Sequence, residues 1–283
     1  MIVGADITRD AVERMRDAED PRLRELLTGV VRHLHDFVRE LAPSEAEWAT
    51  AIGFLTQTGL TCVGGRQEFI LLSDVLGVSM LLDAVNHPAG AAATESTVFG
   101  PFYSEEQPER PFGSSILLRD EPGKPLTLRG HVLSEDGTPL ANTKVEVWQT
   151  AANGLYDVQD ENQPKGHLRA TFRTDEQGRY QFVTVTPVSY AIPDDGPVGY
   201  LLARLGRHPN RPAHIHFMIS APGHARLVTH LFIAGDPYLE SDAVFGVKPS
   251  LVVAPYADES GDWGVVYDFV LGRARSVGEP GDG

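Results

Sequence analysis

The chain has 283 residues, with 24 Lys and Arg against 39 Asp and Glu, a formal net charge of −15. That balance excludes a nucleic-acid or anionic-membrane surface, since both need a local basic excess. Cys62 is the only cysteine, which excludes an intrachain disulfide and a thiolate metal cluster, so any metal must be held by His, Tyr, Asp or Glu. No apolar run is long enough to span a bilayer, and residues 1–20 lack a signal-peptide core. The expectation is a cytoplasmic globular protein without membrane insertion.

The first hundred residues read as helical. Leu26, Leu27, Val30, Val31, Leu34, Phe37, Val38 and Leu41 recur at spacings of three and four, with Pro21 placed for a first turn and Pro43 for a stop. Ser44 followed by Glu47 is a capping-box pattern that opens a second helix. A third runs from Glu68 to Val85 and is apolar on more than one face, which predicts burial against a partner, hence a helical dimerisation element.

From Leu126 the period changes to two. Strands are expected over Leu126–Leu133, around Val145 and Val147, over Ala170–Thr174, Arg179–Val185, Ala213–Ser220, Leu227–Ile233 and Val265–Leu271. Asp175-Glu176-Gln177-Gly178 is a hairpin signal between two of them. Many short strands without intervening helices predict an antiparallel β-sandwich. The expected class is therefore α+β, mainly β. Residues 1–100 form a helical dimerisation and linker domain, 101–275 a catalytic sandwich, and 276–283 a frayed tail.

The chemistry centres on Arg211-Pro212-Ala213-His214-Ile215-His216-Phe217. On a strand, His214 and His216 project from one face, about 6–7 Å apart, close enough to ligate one metal ion. Tyr156 and Tyr190 each lie on a loop leaving a strand, where a sandwich presents functional groups. Read singly, the histidine pair is equally compatible with ordinary half-buried histidines, and each tyrosine fits an amphipathic rim residue better than a functional one.

Together with Val145-Glu146-Val147-Trp148, Gly154-Leu155-Tyr156, Gly178-Arg179-Tyr180-Gln181-Phe182 and Gly235-Asp236-Pro237-Tyr238, these motifs resemble the intradiol ring-cleaving dioxygenases in order and spacing. These are non-haem Fe(III) enzymes that open catechols between their two hydroxyls. The resemblance implies one Fe(III) per chain held by Tyr156, Tyr190, His214 and His216. It makes Tyr190 the tyrosinate that substrate displaces and that takes a substrate proton, and Arg211 the group that stabilises charge on the ring. His230 stands where catechol-cleaving relatives often carry glutamine. It is expected near the substrate, outside the ligand set, with the capacity to titrate near neutral pH.

Thr94–Phe102, Ser73–Asp83 and Ser241–Val247 resemble the branch that cleaves hydroxyquinol (1,2,4-trihydroxybenzene). That branch implies a cavity of Met80, Asp83, Val98, Phe99, Gly100, Pro101, Phe102, Ile192 and Pro193 with Arg211, in which Asp83 accepts a hydrogen bond from the third hydroxyl. The product with O2 would be 3-hydroxy-cis,cis-muconate, the enol form of maleylacetate. Alternatives at this stage are catechol or chlorocatechol as substrate, and a non-catalytic metal-binding β-sandwich. A hydrolase lacks support, since no Gly-x-Ser-x-Gly elbow occurs. The family also implies a homodimer through the N-terminal helices, with phospholipid between subunits.

Overall fold

A computed structural model describes residues 3–64, 66–87, 92–257 and 263–274. The expected tail, 276–283, lies outside the described residues. The chain divides into two compact units, Met1–Gln57 and Thr58–Gly283.

The first unit holds α1 (Val3–Glu13), α2 (Pro21–Leu41) and most of α3 (Glu45–Thr61). α2 starts at Pro21, as its fixed φ favours, and the Asp20 carboxylate accepts from the Arg22 and Leu23 amides at 2.8 and 3.1 Å. It ends at Ala42 in the left-handed region, one residue before Pro43. The capping box forms: the Ser44 amide donates to Glu47 at 2.8 Å and the Glu47 amide to Ser44 Oγ at 3.3 Å. The apolar stripe of α2 is open, with Leu34 58% and Leu41 62% exposed.

In the second unit the helix expected over Glu68–Val85 is two helices, α4 (Glu68–Val75) and α5 (Val78–Asn86). Gly77 sits between them at φ +75°, and its amide donates to Asp74 O. Glycine tolerates that conformation and a side chain resists it, so the apolar period continues while the helix does not.

Then follow β1 (Pro125–Ser134), β2 (Lys144–Trp148), β3 (Arg169–Arg173), β4 (Arg179–Val185), β5 (Tyr190–Ala191), α6 (Pro197–Arg204) and β6 (Asn210–Arg211). The chain continues through β7 (His214–Ser220), β8 (Leu227–Ile233), β9 (Val252–Val253), β10 (Tyr256–Ala257), β11 (Trp263–Val266) and β12 (Phe269–Leu271). One five-stranded sheet has the order β10-β11-β1-β12 with β4 also on β1; the other is β3-β2-β7-β8-β9. Buried residues of both sheets, among them Leu128, Phe182, Phe269, Val147, Phe172 and Phe217, form one core cluster.

Three expectations are corrected. The sheets are mixed rather than antiparallel, because β11 and β12 run parallel to β1 and β9 parallel to β8. A helix, α6, does interrupt the strands, opened by Gly196 and Pro197. The Asp175–Gly178 turn closes, with Gly178 N donating to Asp175 O at 3.0 Å, but it makes no hairpin. β3 pairs with β2 and β4 with β1, so the turn carries the chain from one sheet to the other.

Candidate metal centre and its cavity

β7 places the histidines. Its antiparallel registers set Trp148 of β2 and His230 of β8 directly opposite His216 on the same face. Their rings meet accordingly: Trp148 stacks on His216 at 4.7 Å and 13°, and His230 stands edge-on to it at 4.1 Å and 86°. The two-stranded ribbon of β5 and β6 pairs Tyr190 with Arg211. Tyr156 comes from a loop folded by Asn153 and Gly154, its amide held by Gln159 Oε1 at 3.1 Å. Phe102 stacks on the Tyr156 ring at 4.8 Å. Buried Arg169 pairs with Asp157 and donates to Phe102 O, so it ties down both sides of that stack.

Four donor atoms converge. Tyr156 Oη lies 2.8 Å from His216 Nε2 and 3.1 Å from Tyr190 Oη, and the two Nε2 atoms are 3.2 Å apart. A metal with bonds of about 2.0–2.2 Å at ordinary angles separates neighbouring donors by about 2.9–3.5 Å, so this set fits one ion. His214 donates from Nδ1 to Pro212 O at 2.6 Å, because a carbonyl can only accept. Its Nε2 is therefore bare and faces the other donors.

The electrostatics of the protein alone favour the uncharged forms of Tyr156, His214 and His216. Burial, then the neighbouring Tyr190, pushes the Tyr156 phenol well above its ordinary range. Burial, then Arg211, lowers His214 to about 3. Burial, then His214, drives His216 well below its usual value. Burial opposes the charge of Arg211, and Asp242 more than restores it through Oδ1 on Nε at 3.1 Å and Oδ2 on Nη2 at 3.3 Å. A buried cluster of neutral nitrogens and phenol oxygens, with Arg211 and Arg169 near it, is the environment that a multivalent cation inverts, by ionising the phenols it binds.

His230 belongs to the same tight group, with ligand-capable atoms of His214, His216 and His230 within 4.8 Å. Both its nitrogens are engaged, Nε2 with His216 Nδ1 at 2.7 Å and Nδ1 with Thr97 Oγ1 at 2.7 Å. It lies behind His216, away from the cavity wall. The expectation that it titrates near neutral pH is overturned: burial, then His216, lowers it far below that range.

A pocket opens on the donor cluster, lined by Leu71, Asp74, Val98, Gly100, Pro101, Phe102, Tyr190, Ile192, Pro193, Arg211, His216 and Val244. It shares Leu71, Pro101, Phe102, Ile192 and Pro193 with a wider cavity of about 830 Å³. Gly100 passes against the histidine, where an added Cβ would lie 3.2 Å from His216 Cε1. Most expected wall residues are thus together. Phe99 instead packs on Tyr103 and Trp148, and Met80 lies in the apolar cluster behind the wall. Asp83 is not on the wall either: it accepts from Ser96 Oγ at 2.9 Å and pairs with Lys248 at 3.5 Å. Leu71 and Asp74, three apart one helix earlier, take the positions expected of Met80 and Asp83. The signal available was an acid, Asp74, three residues after Leu71 in a largely apolar helix. Asp74 is 5% exposed; burial raises its pKa, and the Ser79 hydroxyl and Arg211 act against that rise.

Two mixed sheets carrying a buried histidine–tyrosine cluster with metal-ligand spacing mark the chain as a candidate metalloprotein. Residues 98–273 match the family model described as "Dioxygenase", and residues 20–94 match "Catechol dioxygenase N terminus". A hydroxyquinol 1,2-dioxygenase of Rhizobium sp. (strain MTP-10005) is 50% identical over 275 residues, 93% of each chain. The crystal structure of hydroxyquinol 1,2-dioxygenase from Pseudomonas putida DLL-E4 superposes with a TM-score of 0.91 at 48% identity, covering 96% of this chain and 99% of that one. Catechol 1,2-dioxygenase from Acinetobacter sp. ADP1 gives 0.81 at 31%, covering 97% and 96%. The chain belongs to the intradiol ring-cleavage dioxygenase family. Among the described residues no helix is long and apolar enough to cross a membrane.

Proposed function

We propose that the chain is an Fe(III) hydroxyquinol 1,2-dioxygenase, with Tyr156, Tyr190, His214 and His216 holding one ferric ion. The observation that carries this is the convergence of four donor atoms within 2.8–3.2 Å of their neighbours at the end of a pocket walled by Asp74 and Arg211. A ferric ion held by these four residues would supply Lewis acidity toward the two adjacent hydroxyls of the substrate and so activate its ring toward O2. Both atoms of O2 enter the hydroxymuconic acid product and no other atom is gained or lost, so no outside reductant is required.

The protein's own groups do the rest. Tyr190 lines the pocket and is 8% exposed, which suits the phenolate that leaves and takes a substrate hydroxyl proton on Oη. Arg211 Nη1, 3.2 Å from His214 Nε2, is aimed where negative charge develops on the ring oxygens. Asp74 accepts the third hydroxyl. Leu71, Val98, Ile192 and Val244 clamp the ring and exclude water.

In this reading the two sheets form a β-sandwich catalytic domain from about residue 101, with the helical part before it in the chain. The open apolar stripe of α2, Leu23, Leu26, Val30, Leu34 and Phe37, supports a homodimer that traps phospholipid.

The test is the visible spectrum of ferric protein under anaerobic conditions, before and after hydroxyquinol or catechol. A tyrosinate band that moves to longer wavelength with substrate, more readily with hydroxyquinol, is expected. A colourless protein after ferric reconstitution would leave only a non-catalytic metal-binding module.

A further inference from the structure

We infer that Thr97 is a positioning residue for the metal centre, completing through His230 the hydrogen-bond relay that lets His216 present a bare Nε2. The inference rests on the ligand set proposed above. The two histidines are held very differently. His214 Nδ1 faces the Pro212 carbonyl, which only accepts, so its proton is fixed away from the donor cluster. His216 Nδ1 faces His230 Nε2 at 2.7 Å, and a neutral imidazole nitrogen can either accept or donate.

Two arrangements are therefore open to the pair. In one, His216 Nδ1–H donates to His230 Nε2, His230 Nδ1–H donates to Thr97 Oγ1, and His216 Nε2 is bare toward the donor cluster. In the other, every proton is shifted one place, and His216 Nε2 carries a hydrogen where a metal has to bind. The first arrangement requires an acceptor at the far end of the chain. Thr97 Oγ1, 2.7 Å from His230 Nδ1 in a residue 3% exposed, can fill that place; the same hydroxyl can donate in the other arrangement, so it permits the first rather than imposing it. The segment is held in place through its backbone: the Thr97 amide donates to Val228 O at 2.9 Å, and just before it Lys248 Nζ donates to Ser96 O and Thr229 Oγ1 to Glu95 O. The segment thus lies along β8, and Val98, the next residue, is already pocket wall.

Thr97→Val keeps the shape and removes the acceptor. His230 Nδ1–H then has no partner in a buried site, and the arrangement with a proton on His216 Nε2 is favoured. Loss of such an outer partner typically weakens metal binding by about 10- to 100-fold. The experiment loads full-length wild type, T97V, T97A and T97S with Fe(III), then follows iron release to a chelator together with the tyrosinate band. T97V and T97A should release iron about 10- to 100-fold faster, by the same reasoning, and T97S should return toward wild type. The remaining band of T97V should move to longer wavelength, since a poorer His216 donor leaves iron more electron-poor.

Equal release and equal band position in wild type, T97V and T97A would overturn the role of Thr97 while leaving the ligand set standing. Absence of the band in wild type itself would instead overturn the ligand set. T97A serves if T97V fails to fold.

Discussion

The two faces of β7 are buried alike and behave as opposites. Ile215, Phe217 and Ile219 enter the core that both sheets share. His214 and His216, each 2% exposed, face the tyrosines with Trp148 packed behind them. The apolar face needs only shape complementarity, and every neighbour supplies it. The polar face gathers His214 and His216, which burial keeps neutral; their Nδ1 atoms are engaged by Pro212 O and His230, and their Nε2 atoms face one another, Tyr156 and Arg211. One strand therefore supplies the fold's rigidity from one side and the centre's unmet coordination from the other, which holds the donors at fixed spacing before any metal arrives.

The comparison breaks first at the polar face. His216→Ala should abolish the tyrosinate band and lower turnover by on the order of 10³-fold, because loss of the Lewis acid removes several kcal/mol of transition-state stabilisation. Its folding, followed by urea denaturation, should change far less than its activity. Phe217→Ala, one residue on, should do the reverse. A buried aromatic deleted from a packed core costs about 3–5 kcal/mol, read as a fall in the urea midpoint, while the folded fraction keeps its colour. If H216A lost stability as heavily as F217A, the two faces would not be separable in this way.

The two faces were also unequally legible. Period two placed β4 at its observed limits and put His214 and His216 on one face, because alternation is a local property of the chain. What failed was non-local. Nothing near Asp175–Gly178 says that the two strands it joins belong to different sheets. The parallel partners β11 and β12 close on β1 from the far end of the chain, at a separation no local pattern carries. The helix break at Gly77 was signalled, but the apolar period running through it was stronger. That one break shifts the wall: it puts Asp74 at the cavity and turns Asp83 toward Lys248. Thr97 had no signal at all, since its role exists only through the β7–β8 register.

Acid should separate the faces next. His214 titrates at about 3 in the folded, metal-free protein, against about 6.5 when unfolded, because burial disfavours its charged form. A histidine whose folded pKa is depressed binds fewer protons when folded, so its contribution to stability is whole above pH 6.5 and is lost as pH falls from there toward 3. Between pH 6.5 and 5 the loss is about 2 kcal/mol at 1.36 kcal/mol per unit. Urea midpoints of metal-free wild type should therefore fall more steeply over that range than those of His214→Leu. Identical slopes would show that the unfolded reference, or an unseen partner, neutralises the effect.

The smallest expected effect is the most informative about substrate. Asp74 and Asp83 are acids on adjacent helices, one on the pocket wall beside Arg211 and one tied to Ser96 and Lys248. If Asp74 accepts the third hydroxyl, Asp74→Asn should lower kcat/KM for hydroxyquinol by about tenfold, the loss of roughly 1.4 kcal/mol from one charge-assisted hydrogen bond. Catechol, which lacks that hydroxyl, should be turned over nearly as before. Asp83→Ala should lower both substrates together, if either, and show its main effect as a reduced thermal midpoint, since it breaks contacts that hold α5 to the 94–98 segment. Equal losses for the two substrates in D74N would move the source of selectivity to the apolar wall, where Leu71 and Val244 face the same ring.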